Sequence, residues 1–363
     1  MKYISISITV FFAILIYSCH DNGTGTLTDR QIDTTSHSVS WQTFEIGKYS
    51  SIIKDVSVIA ADDIWAVGEI HTEDTDHWNA DSTKWLQPYN ATHWDGEKWE
   101  LKHINGNGSP INIILAFSKN DIWFQGLLHW DGQTFTLHKK NFPLISNGDG
   151  WRMHGTWGTS SSDFYVVGEH GMIAHYNGTS WTKVESGTTI KLTDIWGSPD
   201  GKSVWTCGFD EVKGSVLLKN STNGFEFIVA YNASNPHGQN QISYAFQSVW
   251  SYEPDTVYVA SVGRVYRTPL NYSSYAPEMI WYDYRNQSGY PNEIKTIRGN
   301  TPKDFFIAGF QNEILHYNGN SWRSYDELLT DSGYWYALSV NNNVIAAGGW
   351  SSQLKAFIAI GIR

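Results

Sequence analysis

A short apolar and aromatic run, opened by a polar residue and usually closed by glycine, returns seven times along the chain. The copies are "DDIWAVG" (62–68), "NDIWFQG" (120–126), "SDFYVVG" (162–168), "KSVWTCG" (202–208), "DTVYVAS" (255–261), "KDFFIAG" (303–309) and "NNVIAAG" (342–348). These β-branched and aromatic runs lack a 3.6-residue period, which predicts strands and excludes helical repeats. Their central position falls at Trp65, Trp123, Tyr165, Trp205, Tyr258, Phe306 and Ile345, with gaps between 39 and 58 residues. A period of that size, holding several short strands, is the signature of propeller blades.

Turn chemistry divides a copy into four strands. In the third, "MHGTWG" is strand a, "SSSD" the turn, "FYVVG" strand b, "MIAHY" strand c and "SWTKVES" strand d. The aspartates before strand b (Asp63, Asp121, Asp163, Asp304) are expected to bond their own backbone in a tight turn. The Asn-Gly or Asp-Gly between strands c and d is expected to supply the positive φ angles of a type I′ hairpin. The seventh copy, "YWYALSV", "NVIAAGG" and "LKAFIAIGI", reaches Arg363 one strand short, while "SWQTFEIG" (40–47) has the strand d pattern. The prediction is an all-β fold spanning residues 40–363. It is a seven-bladed β-propeller of four-stranded antiparallel blades, with the N-terminal strand completing the last blade and closing the ring.

Residues 1–18 carry one basic residue, Lys2, then an apolar run, and read as a lipoprotein-type signal peptide. The ending "IYSC" resembles a lipobox, so Cys19 is the expected lipidation site. Residues 19–39, rich in Asp, Gly, Thr and Ser, are expected to form a flexible tether. No later apolar run is long enough to span a bilayer. The expected location is the bacterial cell envelope, with membrane attachment through the N-terminal lipid only. Beyond Cys19 the chain has one cysteine, Cys207, read as a small buried hydrophobe. A net charge of −11 without a basic block argues against nucleic acid. A monomer is expected.

Four copies continue with "HWDGEKW" (93–99), "HWDGQTF" (129–135), "HYNGTSW" (175–181) and "HYNGNSW" (316–322). Equivalent positions on different blades lie around a ring, so His93, His129, His175 and His316 cannot converge on one metal. They are expected to be structural parts of the blade. Trp65, Trp123 and Trp205 likewise read as strand b core residues, and Trp41, Trp99, Trp181 and Trp322 as strand d packing residues. No metal, cofactor or catalytic residue is expected.

Departures from the repeat collect in the b–c and d–a connections, which share one face. The first b–c loop is "EIHTEDTDHWNADSTKWLQPYNAT" (69–92); the d–a links include residues 139–154, 231–243, 285–293 and 329–335. They nominate Trp78, Trp85, Trp151, His154, Tyr290 and Trp335 as ligand-binding residues, with Tyr89, His237 and Tyr334 nearby. Large amphipathic rings beside Asn, Asp and Ser suit a glycan; an envelope protein is the other expected partner. Lys54, Lys191, Lys295 and Arg298, expected at the pore, would either favour an anionic ligand or only neutralise neighbouring acids. Glu69, Glu73, Asp74, Asp76, Glu169, Asp210 and Glu211 lie on the same face, where a hydrolase needs two carboxyl groups about 5–10 Å apart.

Blades written D-x-W-x-V-G and then I-x-H-Y-N-G-x-S-W resemble the repeats of bacterial exported proteins and lipoproteins related to BNR/kelch-like families. The blade plan is similar to that of the photosystem II assembly factor family. Sialidase-type Asp-boxes (S-x-D-x-G-x-T-W) are not matched, since "SSSDFYVV" lacks the Gly-x-Thr part. The resemblance implies binding or scaffolding and transfers no site residue. The leading expectation is a non-catalytic envelope-anchored binding protein. An envelope assembly scaffold is the alternative, and a polysaccharide-active hydrolase or lyase the second.

Overall fold

The computed structural model describes residues 34–104, 109–143, 152–231, 245–269, 278–282 and 293–363. They form seven four-stranded antiparallel sheets and one additional two-stranded hairpin. In blade 3 the order from the axis outward is a (Met153–Ser160), b (Asp163–Gly168), c (Ile173–Tyr176) and d (Trp181–Val184). Blade 7 takes its outer strand from the other end of the sequence. Ser40–Ile46 pairs antiparallel with Ala356–Ile362, from Ser40 opposite Ile362 to Ile46 opposite Ala356. The ring therefore closes as the sequence predicts.

Among the described residues the apolar core forms seven clusters, each shared by two neighbouring blades. Ile53, Val56 and Ile64 of blade 1, for example, pack on Ala337, Ala346 and Ile358 of blade 7. An isolated blade would leave both of these faces in water, so burial binds the blades only as a ring.

The four repeated histidines are four copies of one part. Each Nε2 meets the aspartate that opens strand b: His93–Asp63 at 2.9 Å, His129–Asp121 at 2.9 Å, His175–Asp163 at 2.7 Å and His316–Asp304 at 3.0 Å. Each ring also stacks on the central strand b aromatic. Centroid distances are 4.5 Å to Trp65, 4.5 Å to Trp123, 4.3 Å to Tyr165 and 4.3 Å to Phe306. These aspartates thus hold a histidine on strand c, where the sequence suggests a bond to their own turn. The c–d turns differ from expectation too. Gly96, Gly132, Gly178 and Gly319 have positive φ, but the preceding Asp or Asn does not. That residue instead accepts two backbone N–H groups, as Asp95 does from Glu97 and Lys98. The turns are Asx-capped rather than type I′.

Blade 6 carries an extended version of the unit. Arg363 donates to both oxygens of Asp304, at 2.6 and 2.7 Å, and Asn300 adds a third donor. His316 is fully buried, and its Nδ1 lies 2.9 Å from Nδ1 of His37. With the His316 Nε2 proton directed at Asp304, His316 Nδ1 accepts from His37, whose Nε2 accepts from Ser321. Burial alone would raise the Asp304 pKa, but hydrogen bonds from His316, Arg363 and Asn300 and the Arg363 charge hold it well below the usual carboxylate range.

Asp304→Ala should therefore cost about 3–5 kcal/mol, since it strands a buried arginine. Asp163→Ala, at a half-exposed site, should cost at most about 1 kcal/mol. Denaturant titrations of both variants compare them directly. Because Asp304 titrates lower folded than unfolded, its contribution is complete above about pH 4 and fades with further acidification. A smaller acid dependence is expected for Asp304→Asn than for the parent chain.

Candidate functional site at the channel mouth

Strand a lines the central channel, and six of the seven strands a carry a register shift at the same place. The displaced residues are Lys54, His154, Thr193, Gln247, Lys295 and Tyr336. A bulge re-aims the side chain it displaces. All six line one cavity of about 420 Å³ at the mouth, joined by Asn112 ahead of strand a of blade 2, so that every blade contributes. Arg152 and Lys191, at the entrances to strands a of blades 3 and 4, complete its rim.

The bulge also explains the glycine that closes most strand b repeats. A Cβ at Gly68, Gly208 or Gly309 would sit 2.0, 2.0 or 1.9 Å from the carbonyl oxygen of Ile52, Lys191 or Glu293, just ahead of the bulge. Glycine avoids that clash, and blade 5 places Ser261 at the same position.

One residue deeper, polar side chains stitch blade to blade. Asp55 accepts the N–H groups of Val56 and of Ile114 in blade 2, both at 2.9 Å. Asp194 does the same with Ile195 (2.9 Å) and Val249 of blade 5 (3.1 Å), and also accepts from Ser248. Arg298 reaches Asp194 through both terminal nitrogens, at 3.0 and 2.9 Å, and lies 4.3 Å from the Trp196 ring centre. Among the described residues Asp55 has no such arginine partner. Burial pushes its pKa up to about 7 against the opposing backbone hydrogen bonds.

The cationic expectation for the pore holds: Lys54, Lys191, Lys295 and Arg298 all line the cavity. Lys54 Nζ lies 4.7 Å from the Tyr336 ring centre, and Lys295 donates to Gln247 Oε1 at 2.7 Å. His154 also lines the cavity, its Nε2 2.7 Å from Glu169 Oε1. Burial lowers the His154 pKa against the influence of Glu169.

The other nominated residues separate. Trp78 and Trp85 sit on the small hairpin (His77–Trp78 with Trp85–Leu86), 56% and 39% exposed, edge to face at 5.9 Å. Trp335 is not a ligand-binding residue. It is completely buried, stacked on Phe357 at 4.9 Å in the cluster between blades 6 and 7. Strand a begins at Tyr334, so alternation turns Trp335 inward. Trp151, Tyr290 and His237 lie outside the described residues.

Most acidic candidates have structural partners. Asp74 accepts from Tyr89 and Thr72, Asp76 from His71 and Thr75, and Asp210 caps its own turn through Val212 and Lys213. Among the described residues no group of three or more His, Cys, Asp and Glu could hold a metal ion. Asn112, Thr193, Gln247 and Tyr336 are mouth residues that the sequence did not single out. Their one signal is position, at or near the first apolar residue of strand a.

No protein-family model matches the chain, and no curated protein matches it. Solved structures do. YCF48 bound to D1 peptide is 14% identical with a TM-score of 0.59, over 93% of this chain and 99% of that one. Virginiamycin B lyase from Staphylococcus aureus is 9% identical with a TM-score of 0.62, over 90% and 100%. The likeness is one of fold. It supports the expected resemblance to the seven-bladed plan of the photosystem II assembly factor family. The extracellular domain of a one-component system from B. thetaiotaomicron is also similar (11% identity, TM-score 0.58), over 88% of this chain and 40% of that one. These neighbours include both a binding propeller and a lyase.

Trp335→Ala should destabilise the fold by about 3–5 kcal/mol through the cavity it leaves. Trp78→Ala should stay within about 0.5 kcal/mol. Thermal unfolding of the two variants tests this division between core and surface.

Proposed function

We propose that the chain is a non-catalytic binding protein of the bacterial cell envelope, anchored through Cys19, with a protein segment as its ligand at the channel mouth. The observation that carries this reading is the convergence of side chains from all seven blades on one polar cavity. Rigid strands aim these groups, and most acidic candidates on the same face are engaged in bonds that support loops. A groove of this kind can meet the backbone and side chains of an extended segment through Asn112 and Arg152. That YCF48, a propeller of the same plan, was solved bound to D1 peptide is in keeping with this reading. As a scaffold, the protein would use the same contact.

A glycan is the second reading, favoured by the exposed Trp78–Trp85 pair. A lyase or hydrolase is the third, favoured by the His154–Glu169 contact in the mouth.

Two measurements test the proposal. Metabolic labelling with a fatty acid should mark the parent chain and not Cys19→Ala, which should leave the membrane fraction. A photo-crosslinking amino acid at position 152, on the rim, should capture a discrete envelope protein; one at position 43, on an exposed outer strand, should not. Saturable binding on a glycan array, lost in Trp78→Ala/Trp85→Ala, would replace the protein ligand with a sugar. Turnover of a polysaccharide abolished by His154→Ala would make the protein an enzyme.

A further inference from the structure

The channel mouth reverses the charge of the molecule that carries it. The whole chain stands at −11, yet five cations line the cavity (Lys54, Arg152, Lys191, Lys295 and Arg298) against two carboxylates, Asp55 and Asp194. Asp194 is committed to Arg298, in a nearly buried bidentate pair. Asp55 is directed at two backbone N–H groups. Around the rim, Glu169 is held by His154 and Glu293 by Gln247 at 2.7 Å. Glu69 approaches His71 at 3.6 Å and also favours the charge on Lys54.

Of the remaining cations, Lys191 and Lys295 act on each other across the cavity that Lys54 and Arg152 also line. Burial lowers the Lys295 pKa, and the charge of Lys191 lowers it further, against the pull of Glu293, Asp194 and Cys207. His154, itself lowered mainly by burial, feels Lys191 and Lys295 in the same sense. Burial lowers Lys54 as well. Cations that repel across a common, partly dehydrated cavity gain most when a counter-charge enters between them. The aromatic surfaces within reach are already covered: Lys54 lies over Tyr336 and Lys191 lies 4.9 Å from the Phe209 ring centre.

We infer that the mouth is an oxyanion site, built to take a carboxylate, phosphate or sulfate group between Lys54, Arg152, Lys191 and Lys295. This rests on the reading of the mouth as the ligand site and adds the ligand's charge. The oxyanion comes either as a small free anion or as the acidic side chains of a bound protein segment. Asn112, a neutral donor on the same rim, orients it. The amines screen its charge, so the contact weakens with salt.

The test is calorimetric titration of the full chain with citrate, inorganic phosphate, hexaglutamate and, as an uncharged control, hexaglutamine. It is run at low and at physiological ionic strength, on the parent and on Lys191→Met/Lys295→Met. Saturable binding of an anionic probe is expected to weaken with salt and to fall at least about tenfold in the double variant. Citrate or phosphate binding as well as hexaglutamate assigns a free anion; hexaglutamate alone assigns an acidic segment. Either result sustains the oxyanion site. Should the double variant melt early, Arg152→Gln replaces it, since that side chain is exposed and its loss leaves the fold intact. Equal binding of hexaglutamine, undiminished binding in the variants, or no binding of any probe overturns the inference. Crosslinking from position 152 separates the two levels: capture that is indifferent to salt keeps the ligand site but makes it neutral, and no capture removes the site itself.

Discussion

Everything in this molecule depends on the ring being closed. Each apolar cluster belongs to two blades, so no blade is a folding unit and a gap anywhere exposes two faces at once. Closure falls to a single antiparallel pairing between strands more than 300 residues apart in sequence, Ser40–Ile46 on Ala356–Ile362. Bringing such distant ends together costs chain entropy that grows only slowly with length. The two apolar interfaces completed on closure offset that cost. Around the seam the polar groups are arranged with unusual density: Arg363, Asp304, His316, His37 and Ser321 form one unbroken chain of hydrogen bonds.

The bulges separate the site from the scaffold. At each of six strands a, one residue is taken out of the sheet register and given to the channel, while its neighbours stay with the interface core. Met153 and Gly155, on either side of His154, are both buried; so are Leu192 and Asp194 around Thr193. The channel residues can thus be lysine, histidine, threonine, glutamine or tyrosine without disturbing the blade. Glycine at the end of strand b accommodates this arrangement in five of the six bulged blades, because the carbonyl ahead of the bulge crowds the space a side chain would take; in blade 5 the position is Ser261.

The architecture was legible in the sequence because its determinants are local. Turn residues, the strand b aromatic and the closing glycine recur at recognisable places, and the missing seventh strand d has only one counterpart in the chain. The site was legible in part. Lys54, Lys191, Lys295 and Arg298 could be placed at the pore once strand a was recognised. Gln247 and Thr193 could not, because a bulge has no signature in residue type. The aspartate opening strand b was misread for a related reason: its partner histidine, 8 to 30 residues away, is visible only after the sheet is assembled. Trp335 falls in both the d–a link (329–335) and the strand a segment "YWYALSV"; the strand decides its direction, since one residue settles which way a strand side chain points.

The segment ahead of the closing strand does more than lead into it. Thr35 donates to the Lys303 carbonyl and accepts from Asn318, and the His37 carbonyl accepts from Tyr325, all on blade 6. The chain therefore crosses from one blade to the next before it enters the sheet. Tension applied from the N-terminal side is received first by these contacts, and only after they part does it reach the ladder that closes the ring. Blade 6 acts as a strain relief for the seam, as a clamp on a cable protects the joint behind it.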